Sequence, residues 1–302
     1  DRLVLRLARS TQAFWAALTV WAGLALCGGR LAALPFLLAP QLLFVCGAIN
    51  NDAALIAVVS CTLLLLVRFA ATGRHPIGTG LLVTAALFTK GSALFLLVPV
   101  TVACAIARPA PLAPTAATTP MPRRNRRARF APPVVLLTVT AAGLAAWAAF
   151  NFARFGSLLP PVPTASHVAT LSELLREPRW IGGLFRSFWA KFGMLNTPLP
   201  WPFYLWFAAL SGAVVVGVRR LAGSQRLVLA SALLANAGLV LAYQLTVDLQ
   251  AQGRYLLPSL AAVAAFGSAG LAALPARLQP VLFWGAVVVA LAAIAATAMA
   301  YS

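Results

Sequence analysis

Three short polar segments interrupt a strongly apolar chain, and they hold the side chains best suited to chemistry. They are GAINND at 47–52, FTKGS at 88–92 and DLQAQGRYLLP at 248–258. A lysine or an arginine can hold a phosphate, and a carboxylate can take a proton from a hydroxyl group. The candidate site residues are therefore the carboxylates Asp52 and Asp248, together with Asn50, Asn51, Lys90, Arg254 and Tyr255.

Each segment also has a purely structural interpretation. Asn51 or Asp52 could cap the helix that follows, and Lys90 could extend toward lipid headgroups. Arg254 and Tyr255 could anchor a helix at the membrane boundary, or Arg254 could pair with Asp248. Lys90 lies between Thr and Gly, but the spacing of a nucleotide-binding phosphate loop is absent.

The elements that must position these residues are apolar stretches long enough to cross a bilayer. The chain is 62% hydrophobic and 9% charged, which a soluble domain of 302 residues could not be. About ten such stretches are predicted, at 11–29, 31–49, 53–67, 77–89, 92–107, 133–151, 201–218, 227–247, 255–275 and 280–299. A bilayer offers backbone groups no other partner, so each is expected to be helical. The predicted fold class is all-α, a polytopic transmembrane helical bundle.

The charges predict which side of the membrane each gap between spans faces. When the gaps are numbered alternately, one set holds all five acidic residues and the other holds thirteen arginines and no acid. The acidic residues are Asp1, Asp52, Glu173, Glu177 and Asp248. Loops rich in arginine and lysine stay in the cytoplasm, so the acidic set is predicted to face outward.

A basic segment divides the chain into two halves. Residues 1–107 form the predicted front transmembrane half, and residues 133–302 form the rear half. Residues 108–132 are rich in Pro, Ala and Thr and end in a run of arginines, which predicts a flexible cytoplasmic linker held at anionic lipid. The basic residues behind the net charge of +18 lie in loops beside spans, so membrane lipids rather than nucleic acid are the expected partner.

The predicted outer face has one long segment, residues 152–200, within the rear half. Ser166 or Thr170 before Glu173 indicates a helix start. The following residues mix aromatic and basic side chains, which is typical of a helix lying in the membrane interface. Phe188 and Trp189 are expected at the boundary with lipid or with the spans.

The sequence predicts no metal site and no cofactor. His75 and His167 have no His or Cys companions at ligand spacing. A divalent cation held by Asp52, Asp248 and a phosphate on the substrate stays open as an alternative.

The order of five motifs resembles a known bacterial family. GAINND, FTKGSALFLL, NFARFGSLLP, RSFWAKFG and QGRYLLP follow one another as in the multi-span proteins of domain-of-unknown-function family 2142, which is related to the GT-C membrane glycosyltransferases. The resemblance covers nearly the whole chain.

The resemblance implies a GT-C-like protein of the bacterial plasma membrane that moves a sugar from a polyprenyl-phosphate carrier to an acceptor on the extracytoplasmic face. It places Asn51, Asp52, Lys90 and Arg254 around an outward cavity. The catalytic residues would then be Asp52 and Asp248, one of them the base for the acceptor hydroxyl, and the substrate-binding residues would be Asn50, Asn51, Lys90, Arg254 and Tyr255, with Lys90 and Arg254 at the carrier phosphate. GT-C enzymes usually carry their main catalytic acid in the first outer loop, which we expect to precede Asp1, so a truncated or inactive relative of these enzymes is a further alternative. The alternatives are a non-enzymatic transporter or flippase subunit for a lipid-linked or anionic substrate, and a structural membrane partner.

The predicted topology can be tested by cysteine labelling. In a background without Cys27, Cys46, Cys61 and Cys104, we expect Ser302→Cys to react with an impermeant maleimide in intact cells. Ala117→Cys should react only after permeabilisation, because it lies in the arginine-rich set of gaps. Labelling of Ala117→Cys in intact cells would contradict the topology.

Overall fold

The structure is a computed structural model, and it describes residues 2–107, 126–159, 170–176, 178–192, 197–247 and 251–300. The α-helices are α1 (Arg2–Leu26), α2 (Leu34–Leu37), α3 (Pro40–Gly47), α4 (Asp52–Thr72), α5 (Pro76–Thr89), α6 (Leu97–Ile106), α7 (Arg126–Phe155), α8 (Leu171–Arg176), α9 (Pro178–Trp189), α10 (Trp201–Val218), α11 (Gly223–Thr246), α12 (Leu260–Leu271) and α13 (Gln279–Ala300). Three 3-10 segments adjoin them, at Leu31–Ala33, Gly91–Leu96 and Gly253–Ser259. The strands Lys191–Phe192 (β1) and Thr197–Pro198 (β2) pair antiparallel, with Lys191 opposite Pro198.

The predicted all-α class is confirmed in its coarse form, as a helical protein with apolar helices that could lie in a membrane. Four helices in the described part of the chain are long and apolar enough to cross a bilayer, namely α4, the 131–155 part of α7, α10 and α11. This supports a membrane protein. The count of ten spans and the GT-C-like architecture remain predictions.

Proline explains why some predicted spans are divided. The stretch predicted at 31–49 is broken into α2 and α3, and each begins with a proline in its first turn. A proline there costs no helical hydrogen bond, whereas within a continuous helix it would remove one. The stretch predicted at 255–275 likewise begins as a 3-10 segment containing Pro258 before it continues as α12.

The C-terminal boundary predicted for the linker at 108–132 is wrong. Residues from Arg126 onward belong to α7, so the last part of the linker is helical. Arginine and alanine favour helix, so the residues that precede Pro132 and Pro133 can form its first turns. Residues 108–125 lie outside the described residues.

Helix α4 lies at the centre of the bundle and organises the helices that carry the polar segments. It contacts α1, α3, α5, α6, α11 and α12 and the Gly253–Ser259 segment. Two-thirds of its most apolar window is buried, whereas only 22% of the corresponding window of α7 is buried. Helix α5 runs antiparallel to α4, so the start of α4 and the end of α5 lie together at one end of the bundle. We call this the Asp52 end.

The end of the predicted interfacial segment packs against the helices of the bundle, which is one of the two boundaries expected for it. Trp189 is 2% exposed and stacks on Phe207 of α10, with ring centroids 5.0 Å apart. Its ring is also 6.3 Å from Phe36 of α2. Trp189 therefore lies between helices and not at lipid, while Phe188 is half-buried. Residues 160–169, 177 and 193–196 of the predicted outer segment lie outside the described residues.

Helices α10 and α12 pack at backbone contact through small residues. A Cβ on Gly217 would overlap the carbonyl oxygen of Phe266, and a Cβ on Gly270 would overlap that of Ala213. All residues of α12 are buried. Small residues allow such close approach, and dispersion contacts along the backbone then stabilise the pair.

Replacing either glycine should separate these helices. We expect Gly217→Ala and Gly270→Ala to lower the melting temperature of the purified protein in detergent, because the added methyl group overlaps a carbonyl oxygen. Gly212→Ala is the matched control, since no atom lies within 4 Å of its Cβ position. That change should be neutral, or stabilising by up to about 1 kcal/mol from helix propensity. Equal effects of all three changes would contradict the contact.

Candidate functional site

An ion pair at the Asp52 end joins two of the predicted polar segments. Lys90 Nζ lies 2.6 Å from Asp52 Oδ1. Asp52 is the first residue of α4, and Lys90 directly follows α5. Their side chains are 24% and 32% exposed, so both charges are partly shielded from water but accessible from outside.

Asn50, and not Asn51 or Asp52, caps α4 with its side chain. Asn50 Oδ1 accepts hydrogen bonds from the backbone N–H groups of Asp52 (2.8 Å) and Ala53 (3.4 Å). Asn51 occupies the position before the helix, but its side chain makes no capping bond. Asn51 is therefore the N-cap residue, which is one of the two alternatives predicted from the sequence, but the capping bonds come from Asn50, whose side chain folds back over the first turn.

Two further hydrogen bonds fix this turn in place. Gln12 Nε2 of α1 donates to the carbonyl oxygen of Asn50 at 3.0 Å. Asn51 Nδ2 donates to the carbonyl oxygen of Thr89 at 3.2 Å. The second bond links the start of α4 to the end of α5 beside the Asp52–Lys90 pair. The backbone segments that carry the two charges are therefore held together by a hydrogen bond of their own.

The third polar segment, at 248–258, places Arg254 near the Asp52–Lys90 pair, because Lys90 and Arg254 both lie close to the Tyr255 ring. Lys90 Nζ and Arg254 Cζ each lie 5.6 Å from the centroid of the Tyr255 ring. Asp52 Oδ1 is 2.6 Å from Lys90 Nζ, so all three charged groups lie within about 12 Å of that ring, the limit expected for a single site. The ring face attracts both cations. The predicted convergence of Asp52, Lys90 and Arg254 is therefore present in the structure.

Internal polar side chains hold the irregular backbone that carries Arg254 and Tyr255. Asn236 Nδ2 of α11 lies 3.3 Å from the carbonyl oxygens of both Tyr255 and Leu256. It is 3.0 Å from Ser259 Oγ. Asn236 is 2% exposed, and a buried amide is stable only with such partners. Tyr243 of the same helix contacts the Tyr255 ring edge-on at 5.9 Å.

Helix α9 packs against the same backbone from the other side. Ser187 Oγ accepts a hydrogen bond from Gly253 N at 2.6 Å and donates to Ala251 O at 2.8 Å. A Cβ on Gly253 would lie 2.6 Å from Phe188 N. Glycine is therefore required here by close approach of two backbones. Arg254 follows directly, and its Nε donates to Gln252 Oε1 at 2.8 Å.

These supporting residues were not predicted from the sequence. Asn236 could have been identified, because an amide in the middle of an apolar helix is costly unless it has a partner. Gln12 and Ser187 gave no comparable signal, because Ser and Gln are common near helix ends. Their importance comes only from distant backbone groups at Asn50 and Gly253.

Part of the predicted site cannot be placed. Asp248 lies outside the described residues. Among the residues that the structure describes, no group of three or more His, Cys, Asp or Glu could hold a metal ion. The alternative of a cation shared by Asp52, Asp248 and a substrate phosphate therefore stays untested.

Two open depressions lie elsewhere on the molecule. One, of about 440 Å³, is lined by residues that include Arg68 and His75 at the opposite end of α4. The other, of about 330 Å³, lies between α9 and α10. Neither is lined by Asp52, Lys90 or Arg254. Asp52, Lys90 and Arg254 are each half-buried, and the Asp52 carboxylate occupies the position that an anion would take beside Lys90.

Comparisons of the chain with protein-family models, with curated proteins and with solved structures found no significant match.

The coupling between Asp52 and Lys90 can be measured with a double-mutant cycle. We expect Asp52→Asn and Lys90→Met to be non-additive, with a coupling of about 0.5–1 kcal/mol in the free energy of unfolding, because the partly exposed pair is screened by water. The measurement is chemical denaturation in detergent. The control cycle pairs Asp52→Asn with Arg154→Gln, since Arg154 contacts Phe155 instead. Additive effects in both cycles would argue against the ion pair.

Proposed function

We propose that this protein is a membrane glycosyltransferase of GT-C-like architecture, which transfers a sugar from a polyprenyl-phosphate carrier to an acceptor on the extracytoplasmic face of the plasma membrane. The observation that carries the proposal is the meeting of Asp52, Lys90 and Arg254 around the Tyr255 ring. These residues come from three separate helix breaks. A carboxylate and two cations at one place match the needs of sugar transfer from a phosphate.

The charges suit a leaving group that gains negative charge. The acceptor oxygen forms a bond to the anomeric carbon, and the bond from that carbon to the phosphate oxygen breaks. The electron pair leaves with the phosphate, where Lys90 and Arg254 stabilise it. The acceptor hydroxyl gives its proton to the Asp52 carboxylate, which acts as general base.

The ion pair suggests how substrate binding would prepare the base. Without a ligand, Lys90 Nζ lies 2.6 Å from Asp52 Oδ1, so the lysine occupies the carboxylate oxygen that an acceptor hydroxyl would approach. A carrier phosphate that binds Lys90 and Arg254 competes with Asp52 for the lysine. The carboxylate is then released toward the acceptor only when the donor is present.

A transporter or flippase for a lipid-linked anion is the second candidate, and one observation favours it. The breaks between α3 and α4, between α5 and the Gly91–Leu96 segment, and before α12 meet at the charged cluster. Discontinuous helices commonly form the substrate sites of secondary transporters. The same cations would then bind the phosphate, but Asp52 would act only as the competing anion.

Binding and turnover should respond differently to changes at the cluster. We expect Arg254→Gln to weaken binding of a polyprenyl monophosphate by about tenfold, the effect of losing one charge-assisted hydrogen bond. Asp52→Asn should strengthen that binding several-fold, because Lys90 loses its competitor. The same variant should lower sugar release from a polyprenyl-phosphate-linked sugar, because the base is gone. Binding is measured by native mass spectrometry in detergent.

Arg154→Gln serves as the control, since Arg154 is an exposed cation on α7 that contacts only Phe155 among the described rings. It should leave binding and turnover unchanged. If Arg254→Gln binds the carrier as tightly as the unchanged protein, the cluster is a structural anchor. If vesicles containing the protein move the lipid between leaflets and never release its sugar, the transporter is the correct function.

A further inference from the structure

An open groove between α9 and α10 is separate from the charged cluster. Its floor contains Leu199, which is 7% exposed, and Tyr204. Phe185 of α9 contributes one wall and lies 6.3 Å from the Tyr204 ring. Trp201 and Leu205 form the other wall, and they are 70% and 60% exposed. The volume of about 330 Å³ is at the lower end of the range of small-molecule sites.

The groove is apolar except for one cation at its edge. The Tyr204 hydroxyl donates to Ala190 O and accepts from Leu199 N at 3.1 Å. The hydroxyl group therefore already makes its hydrogen bonds within the protein and does not need a ligand as partner. A sugar would need several hydrogen-bonding groups, and the lining does not supply them. The lining instead fits a hydrocarbon chain.

Arg186 supplies the charge at this edge. Its Nε donates to the carbonyl oxygen of Gly182, one turn earlier in α9. Gly182 has no side chain, and a Cβ built on Gly182 would lie 3.6 Å from Arg186 Nη2. The guanidinium thus lies over the groove. Among the described residues no carboxylate forms an ion pair with it.

The position of the groove indicates what surrounds it. Trp201 is the first residue of α10, one of the helices that could cross a membrane. Tryptophan and arginine at the start of a span mark the level of the lipid headgroups. An apolar groove with a single cation at that level is complementary to an acyl chain joined to a phosphate.

We propose that the groove between α9 and α10 binds an anionic phospholipid of the surrounding bilayer, with the phosphate at Arg186 and an acyl chain between Phe185 and Trp201. The site is distinct from the Asp52 cluster and does not depend on the function proposed for it. Helix α9 lies between them, since Ser187 on its other face holds Gly253 next to Arg254. A lipid in the groove would therefore support the helix that positions Arg254.

The test uses the full chain in phosphatidylcholine nanodiscs with a small fraction of photoreactive phosphatidylglycerol. Crosslinked lipid is mapped to peptides of α9 and α10 by mass spectrometry. We expect Arg186→Gln to lower phosphatidylglycerol capture there by about fivefold, equal to the ~1 kcal/mol attraction of one basic residue for an anionic surface. Trp201→Ala should lower capture of photoreactive phosphatidylglycerol and photoreactive phosphatidylcholine alike, because it removes part of the chain wall.

The matched control is Arg176→Gln, an exposed arginine on α8 that does not line the groove. It should capture phosphatidylglycerol at the original level. Because Arg186 and Trp201 are exposed, neither change should unfold the protein, and monodisperse elution checks this. Equal capture by Arg176→Gln and Arg186→Gln would overturn the proposal. So would displacement of phosphatidylglycerol from α9 and α10 by equimolar polyprenyl phosphate, or a dimer contact covering Trp201.

Discussion

Every break in a helix leaves backbone groups that need partners, and in an apolar surrounding only the protein can supply them. This constraint explains where the polar side chains of the bundle lie. The Asn50 side chain accepts a hydrogen bond from backbone N–H at the start of α4, and Ser187 accepts one from the N–H of Gly253. Asn236 donates to a backbone carbonyl oxygen in the segment before α12. Each of these side chains also holds backbone next to a charged residue of the cluster. The hydrogen bonds that stabilise the helix breaks therefore position the charges as well.

The charges at the Asp52 end destabilise the fold in another way, through repulsion between cations. Two cations and one carboxylate near one aromatic ring leave an excess of positive charge among the described groups there. Tyr255 reduces this cost by offering its ring to Lys90 and to Arg254. Asp52 neutralises Lys90 alone. The cluster is therefore stable without a ligand and still attracts an anion, as the proposed binding of a lipid phosphate requires.

Part of this arrangement was predictable from the sequence. The span predicted at 201–218 has the same bounds as α10, because a proline and a tryptophan mark its start and two arginines follow its end. The candidates Asp52, Lys90 and Arg254 were identifiable because charges are rare in this chain. The capping role of Asn50 and the burial of Trp189 were not predictable, because they depend on the fold-back of one side chain and on a ring stack with distant Phe207.

Helix α5 differs in length from its neighbour, which has a consequence for the membrane itself. Helix α5 has 14 residues, whereas α4 has 21. At 1.5 Å per residue α5 extends only about 21 Å, against a hydrocarbon thickness of about 30 Å. Its surface residues Ile77, Leu81 and Phe88 are exposed, and lipid chains beside it would have to shorten if this helix spans the bilayer, as predicted from the sequence. Such hydrophobic mismatch thins the bilayer locally. Water and headgroups would then come closer to Lys90, and in the proposed transferase a hydrophilic acceptor could reach a carrier that stays in the membrane.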